Sequence, residues 1–139
     1  MSDPEGLLDT SAVLALPRLR DPSLLPEVAL ISAITLAELS VGPLVASDGA
    51  ERARRLAPVQ QAEADFDPIP FDAPAARAYA RVAASYRLSG RKPTARSFDA
   101  MIAATAIANG LPLYTANPAD FAAIDGLVVR AVPAPGREG

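Results

Sequence analysis

The sequence predicts an α/β fold, with a mainly parallel central sheet of four to five strands flanked by helices. Three observations carry that expectation. Short apolar runs at 7–8, 28–31, 69–71, 111–114 and 127–132 alternate with longer stretches of helical pattern. Pro, Gly, Ser and Asp punctuate the junctions between them. A chain of 139 residues that is 50% hydrophobic and 21% charged has enough apolar material for one packed domain. Residues 1–132 are accordingly read as that domain, and 133–139, rich in Pro and Gly, as a flexible C-terminal tail.

Leu7 and Leu8 end at Asp9, as a buried strand does where it meets a loop. Thr10 and Ser11 then suit the cap of a short helix that Pro17 stops. Three prolines between 17 and 26 make a loop, and Val28–Ile31 is a second strand. Ser32 or Thr35 opens a helix reaching Gly42 or just beyond. A further helix covers 48–63, with Pro58 a kink or break. The prolines around Ile69–Phe71 bracket a short strand. Asp72 caps a long helix that starts at Pro74 and ends at Gly90. Ser97 caps the next, 98–109, and Gly110 stops it. Strands at 111–114 and 127–132 flank a helical turn opened by Asn117-Pro118.

Composition excludes much chemistry. There is no Cys, hence no disulfide frame, thiolate metal site or cysteine nucleophile, and there is no His. Acid–base work near neutral pH falls to carboxylates, Lys, Tyr or a cation-activated water. A net charge of −3 argues against coating nucleic acid by bulk charge. The start, MSDPEG, lacks a basic-then-apolar leader pattern, so a cytoplasmic location is expected. The apolar stretches 28–47 and 100–119 do not suit membrane spans. The first carries Glu38 mid-segment, at roughly 3 kcal/mol on insertion scales. The second is broken by Asn109, Gly110 and Pro112.

Three acids stand out. Asp9 lies where a strand gives way to a helix, at the carboxyl edge where open parallel sheets bind ligands. Its plain alternative is a helix cap. Glu38 shares a helical stripe with Thr35 and Gly42 in the otherwise nearly uncharged ISAITLAELSVG. Its alternative is an exposed helix face. Asp99 opens SFDAMIAATAIAN, a helix so apolar that it must be buried on most sides. Its alternative is to complement the helix dipole. Converging carboxylates repel one another, and a hard divalent cation relieves that. The segment 85–97, SYRLSGRKPTARS, holds Arg87, Arg91, Lys92 and Arg96 without an acid, which suits a phosphate-bearing strand. Tyr86 there is a candidate for stacking on a base. Arg52, Arg54 and Arg55 on the earlier helix are expected to face solvent or a partner.

Taken together, LLDTSAVLAL (7–16), ISAITLAELSVG (31–42) and FDAMIAATAIANGLPLYTANPADF (98–121) resemble, in order and spacing, the PIN-domain ribonucleases, and in particular the VapC toxins of bacterial toxin–antitoxin pairs. The resemblance spans roughly 7–132. It implies Mg²⁺-dependent endoribonuclease activity, with Mn²⁺ a substitute. Asp9 and Asp99 then look like metal-coordinating carboxylates and Glu38 like the third acidic member. Thr10 and Ser11 would support the site, and either Asn117 or Asp120 would stand at a fourth, catalytic acidic position. A homodimer and a small VapB-type antitoxin are the implied partners. A catalytically inactive RNA- or protein-binding module of the same fold is the alternative. An aspartyl-phosphate enzyme is disfavoured, because Asp9-Thr10-Ser11-Ala12 lacks the second Asp of DxD.

Overall fold

The computed structural model describes residues 3–90 and 97–133. In chain order these form β1 (Glu5–Leu8), α1 (Thr10–Ala15), β2 (Val28–Ile31), α2 (Ala33–Leu44), α3 (Gly49–Asp65), α4 (Ala73–Leu88), α5 (Ser97–Ala108), β3 (Leu113–Thr115) and β4 (Val129–Ala131). Single 3₁₀ turns at Leu16–Arg18, Pro22–Leu24 and Pro118–Phe121 fill the connections. Residues 134–139 of the C-terminal tail and three of the four basic residues, Arg91, Lys92 and Arg96, lie outside the described residues.

All strand pairs are parallel, in the order β2-β1-β3-β4. The chain leaves β1 to one side for β2, then crosses back through four helices to reach β3 on the other. The order therefore reverses between β1 and β3, and a crevice opens there at the carboxyl ends of the strands. Leu8 pairs with Tyr114, which places Asp9 and Thr115, the next residue of each chain segment, side by side at its mouth.

Strand alternation divides the core in two. Leu7 and Leu113 point to one face and pack with Ala78, Val82, Ile102 and Phe121 beneath α4 and α5. Leu8, Ile31 and Tyr114 point to the other and pack with Val13, Leu39 and Val59 of α1, α2 and α3. α5 is apolar around its circumference, and its alanines Ala100, Ala103, Ala104 and Ala106 are fully buried. Small side chains let α4 approach it closely. Gly6 has a comparable function in β1: a Cβ there would meet Tyr114 Cε1 at 2.6 Å and Pro26 Cβ at 3.0 Å. The Tyr114 hydroxyl in turn donates to Asp3 Oδ2 at 2.5 Å, and Arg130 pairs with the same carboxylate at 3.1 Å, fastening the first strand's approach to β3 and β4.

Several sequence expectations shift. Pro58 sits inside α3 without ending it. Ile69–Phe71 is no strand but one parallel bridge, Ser32 to Ile69. Ile69 donates to Ile31 O and accepts from Ala33 N, whereas Pro68 and Pro70 have no N–H with which to extend the ladder. β3 begins at Leu113 rather than 111, just after Pro112, and β4 is confined to Val129–Ala131. The cap of α1 is Asp9 rather than Thr10 or Ser11. Among the described residues, no helix is long and apolar enough to cross a membrane.

Candidate active site

Asp9 is 4% exposed, an unusual position for a carboxylate. Its Oδ1 caps α1 by accepting from Ala12 N at 2.8 Å and also accepts from Ser11 Oγ at 2.7 Å. Its Oδ2 accepts from Thr115 Oγ1 at 2.6 Å. The two hydroxyls are tied down in their turn. Ser11 Oγ accepts from Ala116 N and Thr115 Oγ1 from Asn117 N, both at 2.9 Å, and the two oxygens lie 3.2 Å apart. Asp9 therefore bridges β1 and β3 across the crevice in one fixed rotamer. Burial raises its pKa above the ordinary carboxylate value. The bonds from Thr115, Ser11 and Ala12 work against that rise, and the negative charge of Asp120 adds to it.

Because α1 is capped by Asp9, the Thr10 hydroxyl is free to look outward. It donates to Glu38 Oε1 at 2.6 Å and stands 3.2 Å from the buried Thr35 Oγ1. Thr35 and Glu38 thus face the β1–α1 junction while Gly42, on the same stripe, packs against Arg55 of α3, and Glu38 is half-buried rather than on an open helix face. Asp99, also half-buried, sits in the first turn of α5. That helix enters β3 through a four-residue connection, 109–112, so it runs antiparallel to the strands. Its N-terminus lies at the carboxyl edge, the end of the sheet where Asp9 is found. Asp120, in the turn Pro118–Phe121, is close enough to act on Asp9 electrostatically, whereas Asn117 is exposed and its side chain caps nothing.

One sequence-predicted contributor stands elsewhere. Tyr86 is fully buried in the α4–α5 core, its hydroxyl 3.4 Å from Asp120 O, so it is unavailable for stacking on a base. The expected helix already contained Tyr86, but sequence alone did not show that this residue lies on the buried face of α4. Arg87 is exposed at the end of that helix. Sequence reasoning missed Thr115. Its signal was a hydroxyl in an otherwise apolar strand end, and it depended on a strand pairing unknown from sequence.

Among the described residues, no three carboxylates converge into a ready cation cage. The donors nonetheless fit a hydrated hard cation. They are all oxygen, and three of the four lone-pair sites of Asp9 are occupied by hydrogen bonds, which leaves one on Oδ2 for a direct ligand. Mg²⁺ characteristically takes one or two carboxylates and keeps several waters. A buried carboxylate next to a second one is also short of positive charge.

The PIN domain family model matches residues 7–127, and the chain belongs to that family. It is 42% identical over 123 residues to ribonuclease VapC5 of Mycobacterium tuberculosis, covering 87% of this chain and 88% of the relative. It is 36% identical to ribonuclease VapC1 of Rickettsia felis over 75% of this chain and 76% of that one. Among solved structures it resembles VapBC-5, a member of the VapBC toxin–antitoxin systems from M. tuberculosis. There the TM-score is 0.79 and the identity 39%, over 94% of this chain and 99% of that one.

Proposed function

We propose that this chain is a divalent-metal-dependent endoribonuclease, the toxin of a toxin–antitoxin pair, which hydrolyses phosphodiester bonds of RNA at the Asp9 crevice. The observation that carries the reading is the buried, triply hydrogen-bonded Asp9 carboxylate at the β1–β3 switch point, next to Asp120. The family and the ribonuclease relatives support it.

In this reading Asp9 and Asp99 hold Mg²⁺ or Mn²⁺, and Glu38 and Asp120 complete the acidic site. A bound cation of this kind supplies charge neutralisation at the phosphoryl oxygens and an activated water as nucleophile, as a chain without His requires. Ser11 and Thr115 keep Asp9 in one rotamer. Thr10 orients Glu38 and leaves its second oxygen to accept a proton or a water. Arg87, with Arg91, Lys92 and Arg96, contacts phosphates of the substrate. A small VapB-type antitoxin is the partner, in keeping with the VapBC complexes among the structural relatives, and the toxin acts as a homodimer.

The test is cleavage of a pool of structured RNAs, with single-stranded DNA alongside, in Mg²⁺, Mn²⁺ or EDTA. Discrete RNA cuts that require the cation and disappear in Asp99→Asn are expected. RNA bound but uncut at every cation concentration would instead favour the inactive binding module.

A further inference from the structure

Arg54 and Arg55 are not simply a solvent-facing pair on α3. With Thr10, Glu38, Leu39 and Gly42 they line one cleft of about 460 Å³. The cleft thus opens directly from the Thr10–Glu38 edge of the carboxylate site. Glu51 holds both guanidiniums, Arg54 through Nε and Nη2 and Arg55 through Nε at 2.7 Å. Arg55 also donates from Nη1 to Gly42 O at 3.2 Å, which ties α3 to the end of α2. A guanidinium carries five N–H donors, so Arg54 Nη1 and Arg55 Nη2 have donors beyond these bonds. The side chains remain 67% and 42% exposed.

Exposed ion pairs at helical spacing add little to stability, so a purely structural explanation of this trio is weak. Its electrostatic effect is larger. Two cations on one carboxylate leave one net positive charge, preoriented, on the wall of a cleft whose near end is acidic. A strand with its scissile phosphate at the carboxylates must lead its neighbouring phosphates past those same negative charges. It needs a cation where it leaves them, and planar guanidiniums match phosphate oxygens.

We propose that Arg54 and Arg55, held by Glu51, form a phosphate-binding subsite for the single-stranded RNA substrate, on the α2–α3 wall beside Glu38. The inference rests on the ribonuclease reading and adds a subsite on α3 to the substrate contacts proposed for that reading.

The test is binding of a fluorescein-labelled 20-mer oligouridylate to the full chain by anisotropy, in Ca²⁺, over a series of KCl concentrations. Arg54→Gln and Arg55→Gln are each expected to weaken binding about three- to tenfold. Each should also lower the slope of log K against log salt by about 0.7, the value for one lost contact on a single strand. Glu51→Gln keeps an acceptor oxygen to hold the guanidiniums while removing a negative charge from the cleft, so it is expected to act in the opposite direction and tighten binding. Folded Arg variants with unchanged affinity and slope would overturn the subsite while leaving the nuclease reading intact. So would Glu51→Gln weakening RNA as the Arg variants do, or the Arg variants impairing only antitoxin binding. A parent protein that neither binds nor cuts RNA overturns both readings.

Discussion

Replacing Thr115 by Val changes the shape of a fully buried side chain very little and removes one hydroxyl. Two bonds go with it: the 2.6 Å bond to Asp9 Oδ2 and the 2.9 Å bond accepted from Asn117 N. A hydrogen bond to a buried charge contributes about 1.5–3 kcal/mol, and leaving its partner unsatisfied incurs a desolvation penalty of similar size. A loss of about 2–3 kcal/mol at neutral pH follows. At about 3 °C per kcal/mol for a chain of this size, Tm should fall by roughly 6–9 °C. The assay is calorimetry in EDTA from pH 4 to 7.5. The Thr115 bond favours ionised Asp9, whose pKa burial has already raised. The deficit should therefore be greatest at the upper pH and shrink as Asp9 takes up a proton. Thr115→Ser, which keeps the hydroxyl, should recover most of it. An equal deficit at both ends of the range would mean that only packing was lost. A Ser variant as impaired as Val would equally refute the hydrogen-bond argument.

Asp9→Asn should abolish cleavage yet melt higher than the parent in EDTA at pH 7. With a raised native pKa, the folded state holds its proton more tightly than the unfolded one. Stability is thus lost as pH climbs from the ordinary value of 3.8 through the native value, and the Asn variant escapes that loss. The advantage should vanish below about pH 3.8, and a variant that melts lower at pH 7 would contradict the burial argument. Gly6→Ala places a methyl group within 3 Å of the Tyr114 ring and should cost about 1–3 kcal/mol by overpacking, read as a lower denaturation midpoint at unchanged m-value.

Local chemistry made much of this protein legible in the sequence. Val28–Ile31, the caps at Ser32 and Asp72, and the apolar α5 follow from nearby residues, because periodicity, capping and proline act over a few positions. The three acids were visible because ionisable groups are conspicuous in nearly uncharged surroundings. Tertiary structure decided what sequence spacing cannot encode. Thr115 became a partner of Asp9 through strand pairing across 106 positions. Tyr86 was withdrawn into the core by the packing of α4 on α5, and Arg54 and Arg55 were brought to the cleft beside Glu38 by the packing of α3 on α2. A side chain's type and its local helix or strand can be read from neighbours in sequence. Its burial, its hydrogen-bond partners and hence its pKa depend on which distant segments meet it, and the sheet order sets that.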